Sequence, residues 1–174
     1  ITLPNSVTKI EENLFYSCTL LQEVLLSENL TEIPAYTFYN CKKLAAISIP
    51  DSVTEIENNA FDYCYDLTSV TIGKGLTTVK EEAFYNCSNL KSVYISDLAA
   101  WCNIDFEKAN SNPLCQGGKL FINGVEASEV VIPDGVTSIK KYTFSGCSSL
   151  TSITIPDSVT SIRYYAFYGC KGLT

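Results

Sequence analysis

Histidine and methionine are absent from this 174-residue chain, and tryptophan and arginine occur once each. Without histidine there is no Ser-His or Cys-His nucleophile pair, no histidine general base and no histidine-containing zinc site. The single arginine is Arg163, and 12 bases stand against 19 acids, a net charge of −7. A basic nucleic-acid footprint is therefore excluded. No apolar run reaches the roughly 18 residues of a spanning helix, so this segment is expected not to insert into a membrane. No phosphate loop, nucleophile elbow, dinucleotide fingerprint or CxxC pair occurs, so neither enzyme chemistry, a cofactor nor a metal site is expected. No Asp-x-Asp-type calcium loop is present either. No leader-like segment opens the chain. Its first residues, Ile1-Thr2-Leu3-Pro4, already look like the inside of a structural unit, and 1–174 reads as a piece of a longer protein.

What is present is apolar and periodic. Hydrophobic residues make up 46% and charged residues 18%, enough to bury a substantial core. Cysteines fall at 18, 41, 64, 87, 102, 115, 147 and 170, with a recurring step of 23. Phenylalanine stands three places before six of them (Phe15, Phe38, Phe61, Phe84, Phe144, Phe167), and leucine three places after (Leu21, Leu44, Leu67, Leu90, Leu150, Leu173). A β-branched residue follows, as at Val70 and Val93, then another apolar residue, as at Ile72 and Ile95. One such unit cannot bury its own apolar positions; stacking in register makes one continuous core. The L-x-x-(I/V)-x-(I/L) segment alternates like a half-buried strand, ended by Pro50, Pro133, Pro156 or Gly73. The V-x-x-I segment is a second short extended run. The Tyr-Ala-Phe-Tyr-Gly-Cys type of segment fits one helical or 3₁₀ turn.

One stretch, 97–129, breaks the period. Asp97 is placed to cap a short helix carrying Leu98, Trp101 and Cys102 on one face. Asn110-Ser-Asn-Pro113 reads as a polar loop, and Leu120–Val125 as a hairpin turning at Asn123-Gly124. It is read as an elaborated repeat within one 1–174 solenoid domain.

The units resemble the treponemal-type leucine-rich repeats of BspA-like bacterial surface proteins, whose pattern I-x-I-P-x-x-V-x-x-I-x-x-x-A-F-x-x-C-x-x-L matches six times. The stretch from Asp97-Leu-Ala-Ala-Trp-Cys-Asn to Asn123-Gly124 is similar to a longer repeat variant of the same proteins. The resemblance implies a right-handed leucine-rich-repeat superhelix with a parallel sheet on its concave face. It also implies an exported, extracellular or cell-surface protein, non-enzymatic, that adheres to a protein or glycoprotein partner, host extracellular matrix among the candidates.

The residues themselves leave several readings open. The repeat-locked cysteines read as buried free thiols, because parallel Cβ vectors set neighbouring sulfurs side by side rather than facing; Cys102 and Cys115 are either free or joined. Outward strand positions form two columns, one holding Leu25, Thr71 and Tyr94, the other Ser69 and Ser92. They read either as an exposed sheet with β-formers or as a docking face anchored by Tyr94. Trp101 either pins the short helix to neighbouring coils or supplies a contact beside the insert. Tyr16, Tyr39, Tyr85 and Tyr168 form an outward column at the solenoid edge. Residues 1–129 hold 17 acids and 8 bases, whereas 130–174 hold 2 acids and 4 bases. The expected function is a binding module. A spacer holding other domains away from the surface is the alternative, and stacking of coil ends between copies is a third reading.

Overall fold

The computed structural model describes residues 1–174 as a right-handed solenoid of about six coils. After the first coil, which pairs only through an isolated bridge between Thr2 and Leu25, the coils contribute strands to two parallel sheets. The first sheet runs through Ala46–Ser48, Ser69–Ile72, Ser92–Ile95 and Lys119–Ile122, and resumes with Glu129–Val131 beside Ser152–Thr154. The second runs through Glu32–Ile33, Glu55–Ile56, Thr78–Val79 and Asp105–Phe106, and resumes with Ser138–Ile139 beside Ser161–Ile162. Regular partners are 23 residues apart, Val70 on Ile47 and Val93 on Val70. This register puts like on like, and one core of 42 buried residues extends from Ile10 to Ala166. Phe15, Phe38, Phe61 and Phe84 stack with ring centroids 5.3, 5.1 and 5.1 Å apart, close to the coil spacing of about 4.8 Å.

The segment expected as a helical or 3₁₀ turn is neither. Each coil folds here into consecutive tight turns with two residues in the left-handed region, five and one places before the cysteine: Tyr36 and Asn40, Asn59 and Tyr63, Glu82 and Asn86, Tyr142 and Gly146. Such alternation frees every second N–H to leave its own coil. Tyr36, Phe38 and Asn40 donate to the carbonyls of Asn58, Ala60 and Asp62 in the next coil at 3.1, 2.8 and 2.8 Å. A helix would have spent those donors internally; the turns use them as a third ladder between coils.

The thiols lie under this ladder. Cys41, Cys64 and Cys87 are buried and unbridged, and each Sγ donates to a phenylalanine carbonyl of the preceding coil at 3.1 Å (Phe15, Phe38 and Phe61). The buried-thiol reading fails at the ends of the column. Cys18, in the first coil of the chain, is exposed, and Cys170 is half-buried. Cys102 and Cys115 are both free. Burial pushes the Cys41 and Cys102 thiols up to about 12. In the unfolded chain these two thiols ionise near pH 8.5, in the folded chain only at the higher pH. This part of the stability is therefore complete below about pH 8.5 and is lost as pH rises toward the folded values. In the 174-residue chain, Cys18 is expected to react at once with a thiol-specific aromatic disulfide, and Cys41, Cys64 and Cys87 only at the rate of unfolding. The urea midpoint is expected to fall steadily between about pH 9 and 11. Rapid labelling of the inner three in the folded state would contradict the arrangement.

The elaborated repeat keeps the expected helix, Leu98–Cys102, with the Asp97 side chain accepting from Ala100 N–H at 2.9 Å. The expected polar loop instead contains two short 3₁₀ helices, Ala109–Ser111 and Pro113–Gln116; the second is entered through Asn112, which caps it, and Pro113 at its first turn. Register here slips to 27: Leu120 pairs with Val93 and Phe106 with Val79. Lys119–Ile122 then folds back through Asn123-Gly124, both with positive φ, onto the antiparallel Val125–Glu126, and both sheets break at this point. Across the break the coils meet mainly through side chains. In the regular ladder, a residue at the position of Thr143 offers its carbonyl to the previous coil's phenylalanine N–H. Here that carbonyl accepts from Trp101 Nε1 and Asn112 Nδ2, both at 3.1 Å, and Asn112 also reaches Tyr142 O at 2.6 Å.

Candidate functional site

Because outward residues of the first sheet alternate with core residues, the strand that buries Val70 and Ile72 must expose Ser69 and Thr71. The exposed side of this sheet forms an open trough of about 500 Å³ that brings Leu25, Ser69, Thr71 and Tyr94 together with Ser48 and Ala46. Four of the six residues singled out from the sequence thus share one surface. Ser92 lies beside them in register with Ser69 and Lys119, half-buried and outside the trough.

Trp101 does not belong there. It is 1% exposed, packs on Phe106 at 5.2 Å and gives its indole N–H to Thr143 O. The reading in which it contacts a partner is corrected: its ring fills the core where the elaborated repeat meets the next coil, and it pins the short helix.

In its place the structure supplies Phe121. Leu120-Phe121-Ile122 repeats Val93-Tyr94-Ile95 at an offset of 27, so Phe121 sits beside Tyr94 on the same outward face. Their rings stack at 4.8 Å. The signal was in the sequence, but a search at 23 misses it. The hairpin extends this apolar rim, leaving Val125 71% exposed, and Val131 beyond it is 68% exposed. Lys119 clamps the hairpin to itself through Glu126 at 3.0 Å. The result is a small, hydroxyl-lined trough ending in an aromatic pair. No three His, Cys, Asp or Glu side chains anywhere are grouped to hold a metal. Such a surface can bind by contact and hydrogen bonding.

The tyrosine edge is more ordered than its sequence spacing indicates. Tyr16 and Tyr39 stack at 4.8 Å, and Tyr39 meets Tyr63 edge-on at 5.4 Å. Asp62 interrupts the column between Tyr39 and Tyr85. Its carboxylate is buried, accepts from Asn59 and Asn86 at 3.1 and 3.2 Å, and is raised by burial above the usual carboxylate range.

The BspA type leucine rich repeat region matches this chain in six copies, over residues 1–110 and 117–174. Among solved structures, the leucine rich repeat protein TpLRR of T. pallidum is 28% identical, with a TM-score of 0.52 over 99% of this chain and 64% of that one. The pneumococcal vaccine antigen PcpA is 20% identical, with a TM-score of 0.53 over 99% of this chain and 48% of that one, a likeness of fold. The chain thus spans less than two thirds of the length of either. Among curated proteins, none matches. No helix is long and apolar enough to cross a membrane.

Proposed function

The chain belongs to the BspA-type leucine-rich repeat family, and from that premise we propose that it is a non-enzymatic binding module of a bacterial surface protein, recognising a protein or glycoprotein through the outward face of its first sheet. The observation that carries this reading is the trough itself. Leu25, Ser69, Thr71 and Tyr94, scattered over 70 positions, converge on one open surface that ends in the stacked Tyr94–Phe121 pair. Aromatic side chains with one polar tip are the usual anchors of such surfaces, and the serine and threonine hydroxyls supply adaptable hydrogen bonds around them. The extracellular or cell-surface location, the single 1–174 domain within a longer chain and host matrix as partner belong to the same proposal. They are supported by the family and by the likeness to a bacterial antigen.

The test is a binding screen of the immobilised 174-residue chain against matrix glycoproteins and glycans. A partner seated on this face is expected to lose about tenfold or more in affinity on Tyr94→Ala, and a similar amount on Phe121→Ala. Trp101→Ala is unsuitable, because it opens the core. A saturable partner indifferent to both changes would move the site elsewhere. Silence across the panel from folded protein would favour the spacer, a reading that the run of small outward residues (Ala46, Ser48, Ser69, Thr71, Ser152, Thr154) also suits.

A further inference from the structure

The second sheet carries a different surface. Its outward positions flank the central apolar residue of each short strand, which is buried in every coil but the last, and their charges change sign along the solenoid. Glu55, Glu57, Asp105 and Glu107 occupy them in the earlier coils. In the last two coils the position before the core residue is serine, at Ser138 and Ser161, and the position after it is cationic, at Lys140 and Arg163.

The regular coils show what such a cation normally does. Lys80 stands where Lys140 and Arg163 stand, and it is neutralised by Glu55 of the preceding coil at 3.0 Å. For Arg163 the corresponding residue of the preceding coil is Ser138, which has no charge to offer. For Lys140 it is Asp105, already engaged by Lys141 at 3.3 Å. Six ion pairs form in the protein, and neither Lys140 nor Arg163 takes part in any of them. The two bases follow Ile139 and Ile162, which are directly paired, so they lie on adjacent rungs about 4.8 Å apart. Like charges on neighbouring strands repel. In a chain of net charge −7, two adjacent unneutralised cations are a departure from the surrounding pattern.

Around them is a hollow of about 470 Å³ lined by Lys140, Lys141, Arg163, Ser138, Tyr164 and Asp105. Three cations there face one carboxylate. Ser138 accepts a hydrogen bond from Ser161 at 2.8 Å and donates to no protein atom, so its hydroxyl hydrogen is available. Tyr164 stands at the rim, 60% exposed, its ring edge-on to the stacked pair Tyr142–Tyr165 at 5.7 Å from each.

We propose that this hollow binds the sulfate group of an acidic glycan. The ammonium of Lys140, the guanidinium of Arg163 and the hydroxyls of Ser138 and Tyr164 offer more donors than the two oxygens of a carboxylate can accept, and they suit the three outer oxygens of a sulfate ester. The exposed tyrosine face beside the cations receives the C–H face of the sugar that carries it. A long polyanion such as a nucleic acid is disfavoured: the cationic patch covers two coils, and the neighbouring coils are acidic. The site lies on the opposite sheet from the trough and is independent of it.

The probe is a fully sulfated hexasaccharide cut from heparin, titrated into the 174-residue chain at about 50 mM salt, where screening is weak. Lys140→Gln with Arg163→Gln is expected to weaken binding about tenfold or more. Lys9→Gln with Lys42→Gln removes the same charge from two other unpaired bases and is expected to change it less than about twofold. Circular dichroism melts of both variants establish that they fold. The desulfated hexasaccharide and a short single-stranded DNA are expected to bind at least tenfold more weakly than the sulfated one. The assignment is overturned by no binding of the sulfated hexasaccharide, by equal losses in the two double variants, or by equal affinity for either of the other two ligands.

Discussion

Replacing Phe61 by alanine is expected to cost about 3–5 kcal/mol of folding stability, read as a drop in the urea midpoint at unchanged slope. The ring is fully buried and touches the rings of Phe38 and Phe84 face to face, 5.1 Å on either side at interplanar angles of 7° and 6°. Removing it leaves a gap in the middle of a column whose other members cannot slide inward, because the turn ladder ties the backbone of each to the next coil. Phe38 N–H donates to Ala60 O and Phe61 N–H to Ala83 O, both at 2.8 Å. Incomplete collapse around a cavity is what raises the cost of such a substitution above the transfer free energy of the lost atoms. Phe167→Ala is the comparison. That ring stacks on Phe144 alone and is half-buried, so its loss is expected to cost markedly less. Equal losses at the two positions would mean that the column does not act as a stack.

The second large effect is expected at Gly146. The residue before each of the six repeat-locked cysteines adopts a positive φ, and asparagine fills that place at Asn40 and Asn86 with φ of 60° and 55°. Gly146→Asn is therefore acceptable by backbone conformation. It is expected nonetheless to destabilise by about 3 kcal/mol, toward the upper end for an overpacked site. The reason is the elaborated repeat. A Cβ on Gly146 would stand 2.4 Å from Leu114 O and 2.9 Å from Cys115 Cα, both backbone. At Gly169, one coil on, the nearest atoms are 3.7 Å away. Gly169→Asn is expected to change stability by less than about 0.5 kcal/mol. Thermal melts of the two variants decide the matter, and similar shifts would show that the close approach of residues 114 and 115 is misplaced.

These two positions also show how much of the structure is legible in the sequence. Phe61 is visible at once, because a core position must recur wherever coils stack in register, and a unit of about 23 residues present in six copies leaves little room for another fold. The helix cap at Asp97 and the Asn123-Gly124 turn are equally visible, since each depends on a few adjacent residues. Gly146 is not. Its requirement comes from a backbone 32 residues earlier that approaches only because the elaborated repeat is out of register. Phe121 is hidden for the same reason, and spacing alone leaves Trp101 between its two readings because the carbonyl that needs its indole N–H belongs to Thr143, 42 residues on. The turns are missed differently: all six coils place Asn, Tyr or Glu, not glycine, at their first left-handed position, and four place Ser, Asn or Tyr at their second, so the glycine signal for positive φ is absent there. The loss of partners at Lys140 and Arg163, by contrast, can be read by aligning coils, once the diagonal Glu55–Lys80 pair shows which positions meet.

The side-chain joint at the break in the sheets bears on how such a chain can change length over generations. An ordinary coil presents the same backbone ladders above and below, so one can be duplicated or deleted and its neighbours will close on each other. The elaborated repeat has no such interchangeability on its far side. Trp101 and Asn112 require the carbonyls of Tyr142 and Thr143, Lys141 requires Asp105, and Leu114 requires a glycine at 146. Residues 97–129 and the coil that ends at Cys147 therefore form a matched couple that must be inherited together, while coils on either side of the couple are free to multiply.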